Sequence, residues 1–187
     1  MRACLEPKPG DGCINRLGVN DMSAEALRYC VGSDSSGPAR VSKPPTLFGP
    51  AEATEFLARL VSPWTQELGL IVEACSPWGA ALRLPRNSRI LRPGNALSGQ
   101  ALLACADTAM AVAIMGHLGE VRNVATVTIA TDFMRGIPAG DVIVAATVRR
   151  RARTLIFAEC TFAEPGIPEI AVHATATWAF IPAAISI

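Results

Sequence analysis

Between Gln100 and Gly116 the chain reads QALLACADTAMAVAIMG, and Asp107 is the one charged side chain in that stretch. A carboxylate in apolar surroundings is costly unless it is paired or hydrogen-bonded. Two readings follow: a general base, or a structural Asp bonded to a neighbouring backbone group or hydroxyl. Gln100 lies seven residues earlier on nearly the same helical face. Just before it, Ser98 suits an N-cap, and Gly99 permits close backbone approach. Unpaired amides at such a helix start are suited to hold an oxyanion. A base and an oxyanion hole together point to acyl transfer or hydrolysis. Gly99 and Asp107 stand about 12 Å apart along a helix axis at 1.5 Å per residue. One chain cannot easily bring both to a single carbonyl, so the spacing predicts a site shared by two subunits.

The elements that must position these groups are legible around them. Residues 1–46 are rich in Gly, Pro, Ser and Asp and end in GSDSSGPARVSKPP, which reads as a flexible extension with one short helix at Ser23 to Tyr29. The domain is expected over residues 47–187. GPAEATEFLARLV places Phe56, Leu57, Leu60 and Val61 at helical spacing after Pro50. LGLIVEAC and GAALRLPR form a hairpin about Ser76-Pro77-Trp78-Gly79, and RILRPGNALSG follows as a loop. The Gln100–Gly116 stretch has no Pro or internal Gly and is apolar on nearly every side, so it is a helix enclosed by other elements. Four strand-like segments complete the chain: VATVTIATDF, DVIVAATVRRRA, TLIFAECTFAE and EIAVHATATWAFI. One curved antiparallel sheet wrapped around one long helix satisfies that order, an α+β architecture.

Bulk properties bound the function. The net charge is +1, against a general nucleic-acid or membrane-surface partner. Half the residues are apolar, enough for a core without staples. Cys4, Cys13, Cys30, Cys75, Cys105 and Cys160 show no CxxC pair, so neither a metal site nor a disulfide framework is expected, and free thiols fit a reducing cytoplasm. The N-terminus lacks an apolar run of signal length, and no uninterrupted apolar run reaches the ~18 residues of a spanning helix.

The segment LSGQALLACADTAM resembles the H-G-G-x(6)-D-T-A motif of PaaI-like (phenylacetate-pathway) thioesterases. TVTIATDFMRGIPAGD resembles the family's next strand and its aromatic–Pro–Gly loop, and RARTLIFAEC the strand where G-R/K-x-L often stands. The resemblance spans roughly residues 55–182. It implies a hot-dog fold, dimeric or tetrameric assembly, an acyl-CoA substrate and no separate cofactor. By position it makes Asp107 the base or nucleophile, the Gly99 amide the carbonyl-polarising donor and Thr126 the group that orients water. Two departures stand out. Ser98 occupies the usual His position, with Gln100 for the second Gly, and Arg92 falls where Asn is common, although a loop shift would bring Asn95 there instead.

Coenzyme A carries phosphates, which arginines bind bidentately. Arg149 and Arg151, with Arg153, are expected on one strand face, and Arg135 is a second candidate; each has a solvated-surface alternative. His117, at the helix end, His173, Trp64, Trp78, Trp178 and Cys105 read as structural. The competing functional reading is a non-catalytic acyl-CoA binding or sensing module. A dehydratase would need a His near the carboxylate, and His117 lies ten residues on.

Overall fold

The computed structural model describes residues 48–167 and 169–182, so the extension and its short helix lie outside the described residues. The described chain opens with helix α1 (Pro50–Arg59), which has a proline in its first turn and Glu52 accepting a hydrogen bond from the Gly49 amide at 2.8 Å. Proline costs least there, where its missing N–H has no intrahelical partner to lose, and the carboxylate faces the positive end of the helix. A single further turn, α2 (Pro63–Gln66), is too short to show a period in sequence.

The expected hairpin is present as β1 (Ile71–Ser76) and β2 (Gly79–Leu84). Gly79 has φ +156°, and a Cβ there would meet the Ala146 carbonyl oxygen at 2.4 Å, so the turn can lie against the Ala146 backbone only with glycine at this position. The segment expected to be a loop is more ordered. It holds a 3-10 turn (Ser88–Ile90) and a two-residue ribbon, β3 (Leu91–Arg92) with β4 (Ala96–Leu97). Strands that short carry no alternation to read.

Helix α3 (Gly99–Leu118) is followed by β5 (Val124–Phe133), β6 (Val142–Arg151), β7 (Leu155–Ala163) and β8 (Val172–Phe180). Six strands form one antiparallel sheet in the order β1-β2-β6-β7-β8-β5. The sheet curls around α3, which packs chiefly on β2, β6 and β7. Met110, Ile114 and Met115 from the helix, with Leu82, Phe162 and Ile156 from the sheet, are fully buried. This is the hot-dog fold. By length and composition α3 would be able to cross a membrane, unlike the reading from uninterrupted runs, but most of it is buried inside this sheet.

At its far end α3 touches the β1–β2 turn. A Cβ on Gly116 would lie 2.7 Å from the Ser76 carbonyl oxygen and 2.8 Å from Cys75 Sγ. Gly116→Ala should therefore force the hairpin off the helix and lower stability by roughly 1–3 kcal/mol, the usual cost of overpacking. Thermal unfolding checks this, with an unchanged Tm as the contrary result.

Candidate active site

Asp107 leaves α3 on its incompletely covered side, toward β5, and its Oδ1 accepts a hydrogen bond of 2.7 Å from Thr126 Oγ1. The two residues that the resemblance implied should act together do meet. Thr126 sits beside a bulge: β5 and β8 stay in register from Val124 to Thr126, skip Val127, and resume at Thr128. A bulge re-aims its neighbours and sharpens the local twist, and here it stands next to the hydroxyl aimed at α3. Burial raises the Asp107 pKa above the ordinary Asp value, and the Thr126 hydrogen bond opposes that rise.

The start of α3 forms a separate cluster. Ser98 caps the helix, its Oγ accepting from the Ala101 amide at 3.3 Å, which leaves its own hydroxyl hydrogen free to donate. No acceptor among the described residues takes the amide hydrogens of Gly99 or Gln100. Gln100 is exposed, and the Phe133 ring at the end of β5 lies over Gly99. Asn95 holds a positive φ of 56° in the β3–β4 turn and accepts from the Ala139 amide through its carbonyl. Within one protomer, therefore, the carboxylate and the free amides stand at different points along α3.

The arginines divide. Arg135 is held by Glu164 and by Glu169, through the latter's carbonyl and carboxylate, so its guanidinium ties the β5–β6 loop to the loop after β7. Arg149 pairs with Glu159 at 3.1 Å. Arg149 and Arg151 do not share a face, contrary to strict alternation. The register of β6 with β7 slips between Val148 and Arg150, and that bulge lets Arg149 meet Glu159 while Arg151 stands opposite Ile156. Arg151 lies over the Phe180 ring at 5.7 Å, and Arg122 over the same ring at 5.9 Å. Arg151 has no carboxylate partner among the described residues.

Other residues took unexpected places. His173 Nε2 is 3.8 Å from Glu159, and the side chain is partly exposed. His117 Nδ1 lies 3.3 Å from the Pro77 carbonyl. Trp64 and Trp78 are exposed, whereas Trp178 is buried directly opposite Thr126 in the β5–β8 register. Trp178 thus lies in the core, as its structural reading expected. Cys105 is buried, its thiol pushed up to about 12 by desolvation, as a packing residue would be. A hollow of about 210 Å³ lies on the other flank of α3, bordered by Thr108, Leu57, Val61, Thr65 and Leu70 and by no charged side chain.

The thioesterase superfamily model matches residues 94–170. That segment carries the thioesterase-superfamily pattern. It spans the start of α3, Asp107 and Thr126. No curated protein matches the chain. Among solved structures, zebrafish thioesterase superfamily member 2 is 19% identical, covering 71% of this chain and 98% of its own, with a TM-score of 0.64. A Haemophilus influenzae thioesterase is 22% identical, covering 68% and 89%, with a TM-score of 0.60. A conserved Pseudomonas aeruginosa protein is 22% identical, covering 66% and 99%, with a TM-score of 0.61. At these identities the structures establish the shared fold.

The raised Asp107 pKa has a definite sign for stability. The folded state holds this proton more tightly than the unfolded chain, whose Asp titrates near about 3.9. Ionised Asp107 therefore weighs against folding as pH rises through its folded pKa, and the penalty is absent below the unfolded value. Asp107→Asn should be more stable than wild type at neutral pH, with the difference vanishing in acid, as followed by denaturant unfolding across pH. Thr126→Val should move the Asp107 carboxyl pKa further upward in an NMR titration; a downward move would contradict the assigned hydrogen bond.

Proposed function

We propose that the protein is a PaaI-like acyl-CoA thioesterase in which Asp107 acts as general base toward a water molecule. The observation that carries this reading is the Asp107–Thr126 hydrogen bond, a desolvated carboxylate held on the partly uncovered side of α3. Water attacks the thioester carbonyl, forming the C–O bond, and its proton passes to Asp107. The oxyanion is held by the free amides at Gly99 and Gln100. Collapse breaks the C–S bond, and the departing coenzyme A thiolate takes the proton from Asp107. Acid and free thiol result, and Asp107 is regenerated as the carboxylate. The proton balance is met without a second titrating residue.

The amides come from a second subunit in this proposal. β5 is an edge strand of ten residues, paired only with β8, and it exposes Val127 and Phe133, with Met134 just beyond and Leu103 nearby on α3. Such an edge is a template for pairing with another chain. Antiparallel pairing of β5 with its twofold mate would bring the Gly99 end of one subunit toward Asp107 of the other. A homodimer, or a tetramer of such dimers, is the proposed working form.

Of the arginine candidates, Arg151 is best placed for a phosphate of coenzyme A, because carboxylates already hold Arg135 and Arg149. The uncharged hollow beside Thr108 supports an uncharged acyl group over a dicarboxylic one, whose free carboxylate would find no counter-charge there. The three described cysteines are free and buried, which suits a cytoplasmic protein.

A thiol-release assay across acetyl-, hexanoyl-, phenylacetyl-, dodecanoyl- and succinyl-CoA tests this. Turnover of at least one uncharged thioester is expected, with kcat falling about a hundredfold or more in Asp107→Asn, the scale of lost general-base help. Tight binding of acyl-CoA with no thiol released from any member would identify a binding module instead.

A further inference from the structure

Three arginines gather at one end of the sheet around a single aromatic ring. The Arg151 and Arg122 guanidiniums lie 5.7 and 5.9 Å from the centre of the Phe180 ring. Arg153 stands in the β6–β7 turn beside Thr154, whose carbonyl accepts from the Phe180 amide at 3.0 Å. Arg122 pairs with Glu120 at 3.0 Å, both at the surface. No carboxylate among the described residues pairs with Arg151 or Arg153. The net charge of the whole chain is only +1, so this local excess is a matter of placement and not of composition. Like charges held together repel, and an anion relieves that repulsion.

The sheet register relates this cluster to Asp107. Arg151, Ile156, Trp178 and Thr126 stand opposite one another in one cross-strand row. Three interstrand spacings put the Arg151 backbone about 14 Å from that of Thr126, which donates to Asp107. Phe180 follows Trp178 by two residues and so faces the same side of the sheet. The pantetheine arm between a thioester sulfur and the first phosphate is a linear chain long enough to cross that span. A thioester at Asp107 would thus bring its phosphates within reach of the three arginines.

We infer that Arg122, Arg151 and Arg153, gathered about Phe180, seat the phosphates of the coenzyme A nucleotide. This rests on the thioesterase reading above and adds two arginines and an aromatic ring to the phosphate contact of Arg151. Guanidiniums match phosphate oxygens bidentately and also pack on aromatic faces. A ring contact leaves their N–H donors unspent. It also restrains two long side chains before the ligand arrives, which lowers the ordering cost of binding.

The test measures kcat/KM for the uncharged acyl-CoA that wild type hydrolyses best and for the matching acyl-pantetheine, which lacks every phosphate. The ratio of the two should fall about tenfold in each of Arg122→Gln, Arg151→Gln and Arg153→Gln, the scale of one charge-assisted hydrogen bond. In Phe180→Leu the ratio should fall by less, because the guanidiniums remain but lose their restraint. The drop should come through KM for acyl-CoA, with kcat within about twofold. A ratio unchanged in the three arginine variants overturns the inference, including the case in which both thioesters are lost equally, since the arginines would then only cover the end of the sheet. A wild-type protein that releases no thiol from either compound overturns the thioesterase reading instead. Calorimetry with coenzyme A itself then decides the seat: binding weakened about tenfold in Arg151→Gln upholds it, and equal or absent binding overturns it.

Discussion

A helix that is apolar on all sides must be covered on all sides, and one six-stranded sheet does not quite manage it. α3 is sealed by β2, β6 and β7 and flanked by α1 and β5, yet Asp107, Leu103 and Gln100 remain on its less covered side. The sole carboxylate of the helix lies at that gap. There it is dry enough for its proton affinity to rise and open enough to be reached. Thr126 keeps it from being a bare buried charge, and the bulge at Val127 is the local distortion associated with that contact. Move Asp107 one residue along the helix and its side chain would turn by about 100°, into the core or toward α1.

The same gap explains why one protomer looks incomplete. The free amides of the α3 start and the carboxylate lie on one rigid rod, and a reacting carbonyl cannot touch both. The uncovered edge of β5 and its exposed Val127 and Phe133 border that gap. A second copy placed there would cover apolar surface and complete the proposed site in one step. That economy links assembly to catalysis in this account.

Much of this was legible in the amino-acid sequence, for physical reasons that also mark where legibility stopped. α3 was readable because seventeen residues without Pro or internal charge beyond Asp107 admit few alternatives, and β5 to β8 because alternation persists over nine or ten residues. The ribbon β3–β4 and the single turn α2 were not, since neither is long enough to establish a period. Asp107 announced itself as a charge out of place. The faces of Arg149 and Arg151 were misassigned because a bulge changes strand parity without leaving a composition signal. Trp178 was legible as core, since an aromatic in an apolar strand has few other places to go.

The most direct test is a crystal structure of the full chain with a coenzyme A thioether analogue that keeps the carbonyl but cannot be hydrolysed. The carbonyl carbon is expected within about 3–3.5 Å of a water bonded to Asp107, the near-attack range, with the carbonyl oxygen directed at the partner subunit's Gly99 amide. An analogue bound with its carbonyl remote from Asp107, or a carboxylate enclosed away from every bound ligand, would contradict it.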